Sequence, residues 1–182
     1  MRLGKISLLV LLLTLQACMI QPGESKPLHN STLVFTAKVI RILDGDTMEV
    51  LYENHPVKIR LAHIDCPEKR GHQPFGVKAK QALSDLCFGQ MVTVQGQKYD
   101  RYKRLIAVVI NDKEQVINQE MIKLGMAWHF KKYSSDPLYA QLEINARKNK
   151  IGLWQDSSAV APWEWRGNKL HYLPSKVEKN HF

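Results

Sequence analysis

An α+β fold is predicted, a small five-stranded β-barrel with about three packed α-helices. Three observations predict it. Five short segments rich in β-branched residues lie within the first 110 positions. An apolar stripe at helical spacing interrupts them after Pro74, and two more helical stretches follow them. The length of 182 residues suits one domain, and 45% hydrophobic against 24% charged residues excludes wholesale disorder, collagen-like repeats and coiled coils.

Leu33–Leu43 reads as the first strand, and Asp44-Gly45-Asp46 turns it into Thr47–Tyr52. Asn54-His55-Pro56 breaks the chain before a third strand, Val57–Ile64. Met91–Tyr99 and Leu105–Ile110 complete the five. In the first helix Phe75, Val77, Ala79, Ala82, Leu83 and Leu86 recur at helical spacing, with Gly89 as the stop. Val116–Leu124 is a second helix, ended by Gly125. Asp136-Pro137 opens a third that runs to about Lys150, with Leu138, Leu142 and Ala146 as its buried stripe. This order fits a Greek-key barrel of the OB type, whose open face commonly holds oligonucleotides.

The first segment reads as an address. Met1-Arg2-Leu3-Gly4-Lys5 precedes ten mostly apolar residues, Ile6 to Leu15, about half the length of a membrane span. Leu15-Gln16-Ala17-Cys18 resembles a bacterial lipobox, which makes residues 1–17 a lipoprotein-type signal and Cys18 the lipidation site. An ordinary cleaved signal is the other reading. Residues 18–31 read as a tether, 32–167 as the domain and 168–182 as a C-terminal tail. The expected location is the bacterial cell envelope, lipid-anchored, or otherwise the periplasm or exterior. Outside the reducing cytosol, Cys66 and Cys87 are permitted to pair as a disulfide. No Cys-x-x-Cys or His-x-x-x-His spacing offers a zinc site.

Lys and Arg number 26 against 17 acids, for a net charge of +9. Losing residues 1–17 removes only Arg2 and Lys5, so the basic character belongs to the folded part. Such an excess favours a polyanionic partner, nucleic acid or an acidic membrane surface. Three stretches carry acids and arginines that local structure does not require: Asp44-Gly45-Asp46-Thr47, Arg60 to Glu68, and Asp100-Arg101-Tyr102-Lys103-Arg104. Carboxylates and a backbone carbonyl at Asp65-Cys66-Pro67-Glu68 are hard oxygen ligands, suited to calcium rather than zinc. Arg60 lies in an apolar strand, where an unpaired guanidinium is costly, and Arg104 directly precedes another. Two guanidinium forks beside a cation site are what phosphoryl transfer needs.

Together these stretches resemble the signature segments of the staphylococcal nuclease (thermonuclease) family. The similarity covers roughly Leu33 to Arg166 and takes in Val116-Ile117-Asn118-Gln119-Glu120, Leu124-Gly125-Met126-Ala127 and Pro162-Trp163-Glu164-Trp165-Arg166. The resemblance implies a nuclease dependent on Ca2+, cutting DNA and RNA with little sequence preference and leaving 3′-phosphates. It implies that Asp46, Asp65 and the Cys66 carbonyl ligate calcium, and that Glu68 is the general base. Arg60 and Arg104 would grip the scissile phosphate, Asp44 would support the turn, and Tyr102 and Tyr133 would contact the nucleotide. Lys103 stands where the family usually has glycine, Cys66 where threonine or alanine is commoner, and Lys131 where the founding member has tyrosine. A monomer without an obligate protein partner is expected. A catalytically inactive nucleic-acid-binding barrel and an envelope scaffold lipoprotein are the alternative readings. The tryptophans are read as core and C-terminal clasp, and His63 as a packing residue.

Overall fold

The computed structural model describes residues 33–168. The segments read as signal, tether (with Cys18) and C-terminal tail from residue 169 lie outside the described residues. Alternating apolar side chains set the first strand, β1 (Leu33–Asp44), with Phe35, Ala37 and Val39 inward. A register shift between Val39 and Arg41 changes the phase, so Ile42 is the next residue to face the core. β2 (Thr47–Tyr52), β3 (His55–Leu61), β5 (Met91–Tyr99) and β6 (Leu105–Ile110) join β1 in a closed barrel of order β1-β2-β3-β6-β5. All neighbours are antiparallel except β3 and β6, which run parallel with Arg60 opposite Ile106. The five expected strands are therefore present and form the expected barrel.

The third strand ends earlier than its sequence suggests. His63 adopts a left-handed backbone (φ 68°), which turns the chain after Leu61. Ile64–Asp65 then forms a separate short strand, β4, paired with β7 (Trp128–His129). The His63 ring is a packing group as expected, stacked on Tyr139 at 4.7 Å and hydrogen-bonded to Ser134 Oγ at 2.8 Å.

Helix α1 (Gly76–Cys87) packs on the barrel through Ala79, Leu83 and Cys87, while Val77 of the expected stripe is exposed. In α2 (Ile117–Lys123) the buried Asn118 side chain donates to Ala62 O and Ala107 O and accepts from the Val109 amide, each at 3.0 Å. Those three bonds fasten the helix to β6 and to the chain leaving β3, and they give both polar atoms of the buried amide a partner. Asp136 caps α3 (Pro137–Lys148) by accepting from Leu138 N at 2.9 Å. Its buried stripe is Tyr139, Glu143 and Ala146, with Leu142 partly buried. Leu138 is 48% exposed, contrary to expectation. The phase is displaced because Glu143 turns inward, where its Oε2 accepts the His129 amide at 3.3 Å. Its Oε1 pairs with the exposed Arg147, whose guanidinium lies over Trp154 at 3.7 Å. A 3-10 turn at Gly152–Gln155 leads to α4 (Pro162–Asn168). Trp128, Trp154 and Trp163 meet edge to face there, a clasp as expected. No helix among the described residues is long and apolar enough to cross a membrane.

Candidate active site

One tight turn and one stiff loop bring the acids together. Gly45 is required between Asp44 and Asp46 because a Cβ there would lie 2.8 Å from both Ala79 Cβ and Cys66 Cβ. The turn is thus pressed onto α1 and onto the loop after β4. Asp46 Oδ1 accepts the Thr47 hydroxyl at 2.8 Å, and Oδ2 accepts the Cys66 amide at 3.1 Å. Asp44 Oδ1 accepts from Gly45 N at 2.9 Å and from Lys69 N at 3.3 Å, which ties the turn to the residue after Glu68. The Glu68 amide donates to Gln73 Oε1 at 2.9 Å, and Gln73 in turn donates to Val160 O at 2.9 Å. Gly76 backs directly onto this loop, where a Cβ would sit 2.5 Å from Glu68 O.

Arg60 gathers the carboxylates. Its Nη1 donates to Leu61 O at 2.8 Å and Ile64 O at 2.9 Å. Its Nη2 lies 2.8 Å from Asp65 Oδ1 and 3.1 Å from Asp46 Oδ2. Burial opposes the Arg60 charge, but Asp46 and Asp65 outweigh it and raise the pKa. Asp65 is only 1% exposed; burial first and then repulsion by Asp46 push its carboxyl up, against the pull of Arg166 and Arg60. Both terminal nitrogens of Arg60 are engaged by the protein, so this residue fixes the two acids while adding charge to the pocket.

Arg104 approaches from the other side. Asp100 holds it through Nε and Nη2, each 2.8 Å from Oδ2, and its Nη1 reaches Thr47 Oγ1 at 3.3 Å. Thr47 therefore links Arg104 to Asp46. Tyr102 is exposed, with the Arg104 guanidinium 5.4 Å from its ring centre. Tyr133 is exposed against Phe130, whose ring stacks on Trp163 at 5.4 Å. The structure thus brings together Asp46, Asp65, Glu68, Arg60 and Arg104, with Tyr102 alongside and Tyr133 on an aromatic row leading to α4.

The disulfide that the sequence left open between Cys66 and Cys87 is not formed. Cys66 and Cys87 are separate free thiols, both buried; Cys87 Sγ donates to Leu83 O at 3.2 Å, whereas Cys66 lies against the Gly45 turn. Burial pushes both thiols up, Cys87 to about 12, so neither is a ready nucleophile.

Sequence reasoning missed Arg166. From α4 its Nη2 lies 2.7 Å from Asp65 Oδ2, and its Nη1 lies 2.6 Å from Glu68 Oε1. It also missed the positioning roles of Gln73, Thr47 and Asp100. Thr47 and Asp100 lie inside stretches the sequence singles out, but the contacts that give them and Gln73 their positioning roles are set by the fold.

The residues present fit a hard divalent cation. Among the described residues no three His, Cys, Asp or Glu side chains form a ready cage. The donor chemistry is instead two carboxylates that repel one another, with backbone oxygen nearby, and this is what an ion favouring oxygen relieves. Two guanidinium groups meet that charge in this structure.

A family model described as a staphylococcal nuclease homologue matches residues 58–156. A Haemophilus influenzae protein described as an uncharacterized endonuclease is 47% identical over 132 residues, 72% of each chain. A micrococcal nuclease of Shigella flexneri is 41% identical over 142 residues, 72% of this chain and 80% of that one. The Escherichia coli protein ParB is 41% identical over 139 residues, 71% and 77% of the two chains. Barrel, carboxylates and arginines define a phosphodiester-cleaving hydrolase whose substrate is nucleic acid. The chain belongs to the staphylococcal nuclease family.

Proposed function

We propose a calcium-dependent nuclease of low sequence specificity, hydrolysing DNA and also RNA to 3′-phosphate products, and working as a monomer anchored to the bacterial envelope through lipid on Cys18. The observation that carries the catalytic reading is the meeting of Asp46 and Asp65 on Arg60, with Glu68 joined to Asp65 by Arg166 and Arg104 joined to Asp46 through Thr47. Asp46, Asp65 and the Cys66 carbonyl would hold calcium, which supplies positive charge at the phosphorus when bound.

Glu68 accepts the proton of the attacking water. The new oxygen–phosphorus bond forms as the bond to the 5′ oxygen breaks, and that oxygen takes a proton from solvent. Arg104, fixed by Asp100, neutralises charge growing on the phosphoryl oxygens, and Arg60 adds to the field. Tyr102 offers an aromatic face beside the scissile link and Tyr133 a second. The Leu15-Gln16-Ala17-Cys18 pattern supports the anchor.

The test is cleavage of single-stranded DNA by purified protein with calcium and then with a chelator. Cleavage with calcium alone is expected, and Glu68→Gln should reduce turnover about 10²- to 10⁴-fold. No cleavage, or equal cleavage in chelator, overturns the reading; salt-sensitive binding without hydrolysis identifies a nucleic-acid-binding barrel instead.

A further inference from the structure

We propose that Arg166 competes with the divalent cation for Asp65, so that α4 is a latch closed over the catalytic carboxylates and released when the cation binds. The proposal rests on the calcium reading above. One guanidinium spans two acids with different duties. Its Nη2 takes Asp65 Oδ2 at 2.7 Å, and its Nη1 takes Glu68 Oε1 at 2.6 Å while lying 3.4 Å from Asp65 Oδ1. Arg60 already holds Asp65 Oδ1 at 2.8 Å, so both oxygens of this buried carboxylate carry a guanidinium. A dication drawn to the same carboxylate meets two positive groups within a few ångströms in a poorly screened place. That repulsion favours departure of the more loosely held of the two.

The structure indicates which. Arg60 sits in a barrel strand, its side chain is 12% exposed, and two backbone carbonyls and two acids hold it. The Arg166 side chain is 38% exposed, and the contacts described for it are to carboxylates. Its helix has seven residues, and the amides of Glu164 and Trp165 share a single acceptor, Ala161 O. Arg166 is therefore the exchangeable cation. Its departure also frees Glu68 Oε1, so cation binding exposes the base in the same event. Because coupling between two sites is reciprocal, deleting Arg166 tightens the cation and the cation loosens α4.

Two measurements on the full chain test this without assaying catalysis. Calorimetric titration with calcium chloride should show Arg166→Gln binding about 5- to 100-fold more tightly than wild type, with Arg166→Lys between them. Hydrogen exchange over residues 162–168 should quicken when wild type binds calcium, and should be fast and unaffected by calcium in Arg166→Gln. Equal affinities overturn the latch and leave the calcium site standing. Tighter binding with unchanged exchange in wild type also overturns it, since deletion of a charge then accounts for the gain. No calcium binding by any of the three proteins overturns both the latch and the calcium reading.

Discussion

Asp44 serves the site without touching the arginines. Burial first, and then its acidic neighbours Asp46 and Glu68, push its carboxyl above the usual range, although the Gly45 and Lys69 amides pull the other way. The folded chain thus holds this proton more tightly than the unfolded chain. The contribution of Asp44 opposes folding once pH rises through the folded pKa, and it disappears well below the ordinary value of 3.8. Both amides use Oδ1, which asparagine retains. Asp44→Asn should therefore raise the melting temperature at pH 7, and the gain should vanish near about pH 3; thermal denaturation at the two pH values checks this. At this scale the sequence showed the acids and arginines because charge in or beside apolar strands demands a reason. It could not show Arg166, which stands 101 positions from Asp65 and reaches it only through the folded C-terminal clasp.

Among the elements, the β1–β2 turn is the most sensitive. An alanine at Gly45 would drive a methyl to 2.8 Å from two carbon neighbours on different elements, one of them Cys66. Gly45→Ala should cost about 1–3 kcal/mol in urea denaturation and should weaken catalysis further, because it pushes the Asp65–Glu68 loop away from Asp46. The turn at Lys103 is the converse case. Its φ of 60° explains why the family usually has glycine there, and lysine tolerates it at the cost of some strain. The five long strands were legible from β-branched alternation. The two-residue strands β4 and β7 were not, since a pair of residues has no period. The α3 stripe was misjudged for a physical reason: the buried Glu143, held by the His129 amide and by Arg147, puts a charged residue where the apolar pattern looks for leucine.

Across the whole molecule, a net charge of +9 acts before any specific contact. Binding of single-stranded DNA by Glu68→Gln should weaken with salt, with a log–log slope steeper than about −1.4, the value for two neutralised phosphates. Fluorescence anisotropy over a salt series reads the slope, and a flat dependence would show that the basic surface plays no part. Barrel closure adds a different consequence. The acids and Arg60 lie between residues 46 and 68, but Arg104 immediately precedes β6, the strand that pairs in parallel with β3. Until β6 takes its place beside β3, Arg104 has nothing to hold it near Thr47, so the site is assembled only by closure of the barrel.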